Sequence, residues 1–222
     1  MKSIPEDKLI KINTSDKEIL KLQIDTIAGI LNNEKVIILP AKTMYGISAR
    51  FDSKKAAQKI YEIKERPAEL PFIILISKIE MLDKLTMGVE NNAKTLMDFY
   101  WDKKDVKPLT IIFKKNIRFN GFTDKNRNTI AVRMAEFDYI RQIIDKSAPI
   151  ISTSANISGT GKNPLEICQI PDKILRNADM IIEHENKLLG TQSTIIDMSD
   201  NDDFPKLIRQ GAVSFDDILQ KL

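Results

Sequence analysis

Apolar residues recur along this chain in two rhythms, and each predicts its own kind of element. Ile19, Leu20, Leu22, Ile24, Ile27, Ile30 and Leu31 fall at helical spacing, which predicts a helix from Asp16 to about Asn32 with Ser15 as its cap and Asn32-Asn33 as its stop. Short, nearly continuous apolar runs then read as strands buried on both faces: 36–40, 71–77, 109–113, 129–133, 149–152, 180–183, 193–198 and 206–209, with a lead-in strand around Leu9 to Ile12. Helical patterns fill the gaps at 52–64, 78–86, 89–100, 137–146 and 172–178. A last helix begins at Ser214, whose Asp217 three residues on resembles a capping box. The loop 41–46 is expected to leave the C-terminal end of its strand, where ligands of open α/β sheets often sit, and the Asn/Lys/Gly-rich segment 115–128 reads as a turn or hairpin loop. No repeat or low-complexity linker interrupts this order, so one mixed α/β domain over 1–222 is the economical reading.

Composition removes several functions from consideration. With 222 residues, 42% hydrophobic and 29% charged, the chain resembles an ordinary globular protein, and its apolar runs are too short to span a membrane. The N-terminal stretch shows neither an apolar h-region nor a cleavage site, so a cytoplasmic location is expected. Its net charge, 34 minus 31 or +3, does not by itself mark a nucleic-acid binder. The one cysteine, Cys168, excludes an intramolecular disulfide and reads as a buried small hydrophobe; the one histidine, His184, has no partner cluster for zinc and reads as solvent-side. The stretch 158–163 looks like the tail of a P-loop but fails, having Asn156 where the first glycine belongs and Asn163 after the lysine.

The polar positions left over carry the candidate chemistry. In Lys64-Glu65-Arg66-Pro67 a helix runs into a proline. Pro67 pushes Arg66 towards extended backbone, where residues two apart point the same way, so Lys64 and Arg66 are expected to form a two-cation clamp suited to a polyphosphate or carboxylate. The same residues also serve as helix-stop cations that complement the dipole. The run 151–159 follows a strand with four hydroxyls and an amide, groups that hold phosphates or carboxylates without charge and that equally well cap a turn. Arg133 and Arg209 each end an apolar strand and are placed to converge on one crevice.

In this order, the segments resemble the YrdC-like family of threonylcarbamoyl-adenylate synthases over about 34–214. Pro40-Ala-Lys-Thr-Met-Tyr-Gly-Ile47 resembles its P-T-D-T-V-Y-G-L, and Ile63 to Phe72 its I-K-x-R-P-x-x-x-P-L. Pro108-Leu-Thr110 resembles P-L-T, and Thr129 to Arg133 T-V-A-V-R. Thr153 to Gly159 resembles the S-x-N region, with Ser193 to Asp197 and Arg209-Gln-Gly211 resembling S-T-I-V-D and R-x-G. The resemblance implies an open twisted mixed sheet flanked by helices, with a basic concave cavity. It also implies a nucleotidyltransferase that joins L-threonine, bicarbonate and ATP, with Mg²⁺ expected and pyrophosphate released, as the first step of threonylcarbamoyladenosine formation in tRNA. Carried over by position, Lys64, Arg66, Ser154 and Asn156 would be catalytic. Arg66, Thr129, Ser154, Asn156 and Arg209 would hold the nucleotide, and Thr43, Arg133, Ser152 and Ser193 the threonine. No protein-held metal is implied. The family likeness further implies weak tRNA or RNA binding, a downstream threonylcarbamoyl transferase complex as partner, no membrane association, and a short form without the additional C-terminal domain of longer members.

The chain departs from the family pattern at Ala41-Lys42, at Leu70, and at Ala135-Glu136-Phe137, which stands where P-x-H is usual. The first departure motivates a second hypothesis, a divergent paralogue that binds nucleotide or RNA without efficient synthesis.

Overall fold

The computed structural model describes residues 5–67, 70–102, 104–119, 121–122, 127–185, 187–200 and 204–222. After a 3₁₀ turn come β1 (Leu9–Lys11), α1 (Lys17–Asn32), β2 (Ile37–Pro40), β3 (Tyr45–Arg50), α2 (Lys54–Lys64) and β4 (Ile73–Ile76). They are followed by α3 (Leu82–Leu85), α4 (Asn91–Tyr100), β5 (Leu109–Lys114), β6 (Thr129–Met134), α5 (Asp138–Lys146) and β7 (Ile150–Ser154). The chain closes with α6 (Asp172–Asn177), β8 (Met180–Glu183), β9 (Thr194–Asp197), β10 (Lys206–Arg209) and α7 (Phe215–Leu219). The strands form one mixed sheet in the order β1-β8-β2-β3-β7-β4-β6-β5-β9-β10.

Side-chain alternation explains why the strand sequences are apolar at nearly every position. Val36, Ile38, Ile47, Ile74, Val132 and Ile196 point to the face covered by α2, α4 and α6, whereas Ile37, Leu39, Leu75, Ile150 and Ile182 point to the other, where α1 and α5 pack. Each fully buried Ile or Leu contributes about 1.5–3 kcal/mol. On the second face α1 and α5 contact one another, and their buried residues pack against strands of the sheet's first half. Beyond them, Ala131 and Arg133 of β6, Ile112 of β5 and Ile195 of β9 line an open hollow instead of meeting a helix. That uncovered half-face is the concavity.

Five expectations need correction. The segment 41–46 is not a plain loop: β2 turns back into β3, which pairs antiparallel with β7. Its small residues disguised the strand, and one of them is required: a Cβ on Gly46 would stand 2.8 Å from Ser152 Oγ and 3.2 Å from Thr153 O. Asp16, not Ser15, caps α1, its carboxylate accepting from Glu18 N at 2.9 Å and Ile19 N at 3.0 Å. Cys168 is exposed, because the 3₁₀ turn Ile167–Gln169 buries the neighbouring Ile170 instead. His184 is half-buried and stacked, with ring centroids 5.1 Å from both Phe137 and Tyr139, and burial pushes its pKa down. The helical stretch 78–86 is a 3₁₀ turn followed by α3. The 115–128 segment joins β5 to its antiparallel neighbour β6, with residues 120 and 123–126 outside the described set.

Candidate functional site

The hollow has a volume of about 610 Å³, and it gathers nine of the ten residues singled out in the sequence: Thr43, Lys64, Arg66, Arg133, Ser152, Ser154, Asn156, Ser193 and Arg209. Thr129 lies on the same alternation as Ala131 and Arg133 in β6 but is not among the lining residues. Among the described residues the charged lining consists of Lys64, Arg66, Arg127, Arg133 and Arg209, with no Asp or Glu. Apolar walls come from Phe72, Ile112, Ile195 and Ile208 among others. Such a hollow combines a cationic floor with flat apolar sides.

At Lys64 the helix ends differently from the expectation. Glu65, not an extended Arg66, makes the turn: it sits in the left-handed region at φ 51°, and Glu65 N and Arg66 N close back on Glu62 O at 3.3 Å and Tyr61 O at 2.9 Å. This is the Schellman arrangement, built on a residue that adopts it at a cost. It sends Lys64 inward, where the side chain is 1% exposed. Its ammonium donates to Ser154 O, to Asn156 O and, at 3.3 Å, to Asn156 Oδ1, which also accepts from Ser154 Oγ at 2.5 Å. Three donors thus meet three acceptors, and Lys64 ties the polar turn after β7 to the end of α2. Burial, with Arg66 adding repulsion, pushes the ammonium down to about 7, while the three oxygens around it act in the opposite direction.

Arg66 is left facing the hollow. Nη2 donates to Pro71 O at 2.9 Å and the guanidinium stands 5.7 Å from the Phe72 ring centroid, yet Nε is buried and makes no hydrogen bond within the described protein. Ser158 Oγ, also lining the hollow, is buried and unpaired in the same way. Unmet buried donors of this kind are stabilised by a ligand that brings oxygen atoms.

Across the hollow, Ser193 Oγ is 2.9 Å from Thr110 Oγ1 and accepts from Arg209 Nη2 at 3.2 Å, and Arg209 Nη2 reaches Ser193 O at 2.9 Å. Burial and the nearby Arg133 both push the Arg209 pKa down. Gly211 makes this turn possible, since a Cβ there would fall 2.4 Å from Gln192 O. Ser152 accepts from the buried Ser48 at 2.9 Å. Ser48, Thr110, Arg127, Ser158 and Gln192 were not singled out in the sequence; Thr110 lay within a quoted motif, and period-two alternation in 45–50 was the signal for Ser48.

Lys42 is not among the lining residues; its ammonium pairs with Asp105 at 3.1 Å and donates to Val106 O at 3.2 Å. Leu70 does line the hollow. Gly159, Gly161 and Asn163 border the hollow, and Pro164 O holds the segment by accepting from Tyr45 N at 2.9 Å. No group of three or more His, Cys, Asp or Glu converges on a metal position among the described residues. With only cations among its charged described lining residues, the hollow does not fit a resident Mg²⁺. No helix among the described residues is long and apolar enough to cross a membrane.

A family model described as telomere recombination, covering Sua5, YciO and YrdC, matches residues 29–211. Among similar proteins, the threonylcarbamoyl-AMP synthase of Pyrococcus abyssi is 30% identical over 192 residues, 86% of this chain and 54% of that one. A putative threonylcarbamoyl-AMP synthase of Methanocaldococcus jannaschii is 30% identical over 208 residues, covering 94% of this chain and 95% of that one. The crystal structure of P. abyssi Sua5 complexed with L-threonine superposes with a TM-score of 0.82 at 28% identity, over 96% of this chain and 60% of that chain. The chain thus spans little more than half of the Pyrococcus relative and nearly all of the Methanocaldococcus one.

Proposed function

The chain belongs to the Sua5/YciO/YrdC family, and from that footing we propose that it makes L-threonylcarbamoyl-adenylate from L-threonine, bicarbonate and ATP, releasing pyrophosphate. The observation that carries the proposal is the lining itself: among the described residues it has five cations, no carboxylate, and the buried unpaired donors Arg66 Nε and Ser158 Oγ. An anionic carbamate and an anionic α-phosphate repel each other in water. A cavity that supplies only positive charge and fixed donors lowers that repulsion, and holding both reactants in it replaces a bimolecular encounter. The threonine amine bonds to the bicarbonate carbon with loss of water to give the carbamate. A carbamate oxygen then attacks the α-phosphorus, the bond from that phosphorus to the oxygen bridging it to the β-phosphate breaks, and pyrophosphate leaves with the electron pair.

In this proposal Arg66, Arg127 and Ser158 meet the triphosphate, while Lys64 acts from behind by shaping the Ser154–Asn156 turn. Arg209, Ser154 and Asn156 complete the nucleotide side. Thr43, Arg133, Ser152 and Ser193 hold threonine, with Arg133 on its carboxylate. Thr129 has a rim position at most. The product is passed to a transferase acting on tRNA; weak tRNA affinity and a cytoplasmic place of work belong to the same proposal. The divergent-paralogue reading drew on Ala41-Lys42; Lys42 is engaged by Asp105 outside the lining, whereas Ala41 lines the hollow.

The test mixes purified protein with Mg·ATP, L-threonine and labelled bicarbonate. Pyrophosphate and a labelled adenylate that require both threonine and bicarbonate are expected, and Arg133→Ala is expected to lose adenylate formation while still binding ATP. Retained ATP binding with no product from the unaltered protein would overturn the proposal.

A further inference from the structure

Arg133 meets a carboxylate, that of Glu136, which stands behind it. Glu136 is not among the lining residues, and its side chain is 2% exposed against 7% for Arg133. Glu136 Oε1 lies 3.1 Å from Arg133 Nε as an ion pair without hydrogen-bond alignment, and Oε2 accepts from Nη2 at 3.4 Å. This is the side-on approach to a guanidinium. It engages the Nε/Nη2 edge and leaves the Nη1/Nη2 end as the second bidentate face.

The carboxylate is itself held in place. The buried Arg141 of α5 donates from Nη1 to Ala135 O at 2.8 Å and to Glu136 O at 3.0 Å, which locks the backbone that carries Glu136. Phe137, next in the chain, is stacked against Tyr139 and His184 at 5.7 and 5.1 Å. The Tyr139 hydroxyl is buried and unpaired within the described protein, and its pKa is pushed well above the ordinary value by burial, with Tyr45 and the Glu136 carboxylate adding to it. A fixed backbone, a fixed carboxylate and a guanidinium with one face occupied form a supporting shell of the kind that sets the aim of a binding group.

We propose that Glu136 is a positioning residue of the amino-acid subsite: by gripping Arg133 side-on it turns the end face of the guanidinium towards a single ligand carboxylate. Its charge also offsets part of the arginine's, so this corner suits the one carboxylate of a zwitterion, while the unopposed cations elsewhere suit phosphates. The proposal rests on the threonine reading of the cavity.

The experiment titrates L-threonine and L-threoninamide calorimetrically into the full chain and its Glu136→Ala and Glu136→Gln variants, and measures ATP binding in parallel. Threoninamide lacks the carboxylate, so the ratio of the two affinities isolates the contact to Arg133. The ratio should fall about tenfold or more in Glu136→Ala, with ATP binding unchanged within about twofold. Glu136→Gln should fall between, because the amide keeps one acceptor and turns an NH₂ against the other guanidinium nitrogen. An unchanged ratio in Glu136→Ala would overturn the proposal, as would a joint loss of threonine, threoninamide and ATP binding with the ratio preserved, the mark of a packing role. Should Glu136→Ala not fold, an unchanged ratio in the near-isosteric Glu136→Gln overturns it. If the unaltered protein shows no preference for threonine over its amide, the threonine reading fails, and this inference with it.

Discussion

The turn after α2 and the end of β6 both present an arginine to the same hollow, but they hold their cations in opposite ways. At the first, Lys64 is surrounded by neutral oxygens of the chain's own backbone and one amide, and Arg66 keeps a buried Nε unpaired. At the second, Arg133 is braced by the buried carboxylate of Glu136. Neutral acceptors bring no opposing charge, so in the proposed reading Arg66 keeps its pull on a polyanion there. An anionic brace orients as firmly and removes part of the pull, so the second is tuned to a weaker, singly charged group. One cavity thereby acquires two unlike anion sites from the same residue type.

The largest effect is expected from Lys64→Met, which removes the ammonium from Ser154 O and Asn156 O and leaves Asn156 Oδ1 with Ser154 Oγ alone. Unfolding free energy should drop by about 2–4 kcal/mol and kcat/KM for ATP by a hundredfold or so. An active variant of normal stability would show that the turn does not need its lysine. Arg66→Ala comes next. Since Arg66 lines the hollow and its described contacts to Pro71 O and the Phe72 ring are few, kcat/KM should fall by about 2 kcal/mol equivalent with stability falling far less than in Lys64→Met. If stability falls as far as in Lys64→Met, the division between an organising and a ligand-facing cation is wrong.

A smaller effect concerns pH. The folded-state pKa of Lys64, about 7, lies below its ordinary 10.5, so between these values the unfolded chain binds a proton that the folded chain has shed. Stability attributable to Lys64 should therefore be lowest below about pH 7 and rise towards about pH 10. Urea unfolding at several pH values would show this slope in the natural protein and its absence in Lys64→Met. A slope absent from both would mean that the three oxygens keep the ammonium charged throughout. The smallest effect is expected from Lys42→Ala, which breaks a pair with the largely exposed Asp105 outside the hollow. Stability should change by less than about 1 kcal/mol, and ATP and threonine affinities should stay as they were.

How legible each part was in the sequence follows from the range of the forces that set it. The buried strands declared themselves because a strand covered on both faces must be apolar at nearly every position, as 36–40 and 109–113 are. Strand β3 did not, because Gly46, Ser48 and Ala49 are small to suit the close approach of β7, a requirement that comes from a strand more than a hundred residues away. The lone cysteine and lone histidine carried no periodicity, so nothing local distinguished an exposed Cys168 from a buried one or a free His184 from a stacked one.

By itself the sequence determined the mixed α/β architecture and the order of most of its elements, because alternation and capping are local properties of the chain, while the family resemblance picked out most of the polar residues that meet in the hollow. Only the tertiary structure decided how those residues are used. Lys64 meets acceptors 90 and 92 positions away, and the register of β3, β7 and β4 places them there. Arg133 meets Glu136 only three positions on, but that contact is buried because Arg141 of α5 holds the intervening turn against the sheet. Hydrogen-bond partners are chosen at distances of about 3 Å, and that precision is reached only once the sheet has closed.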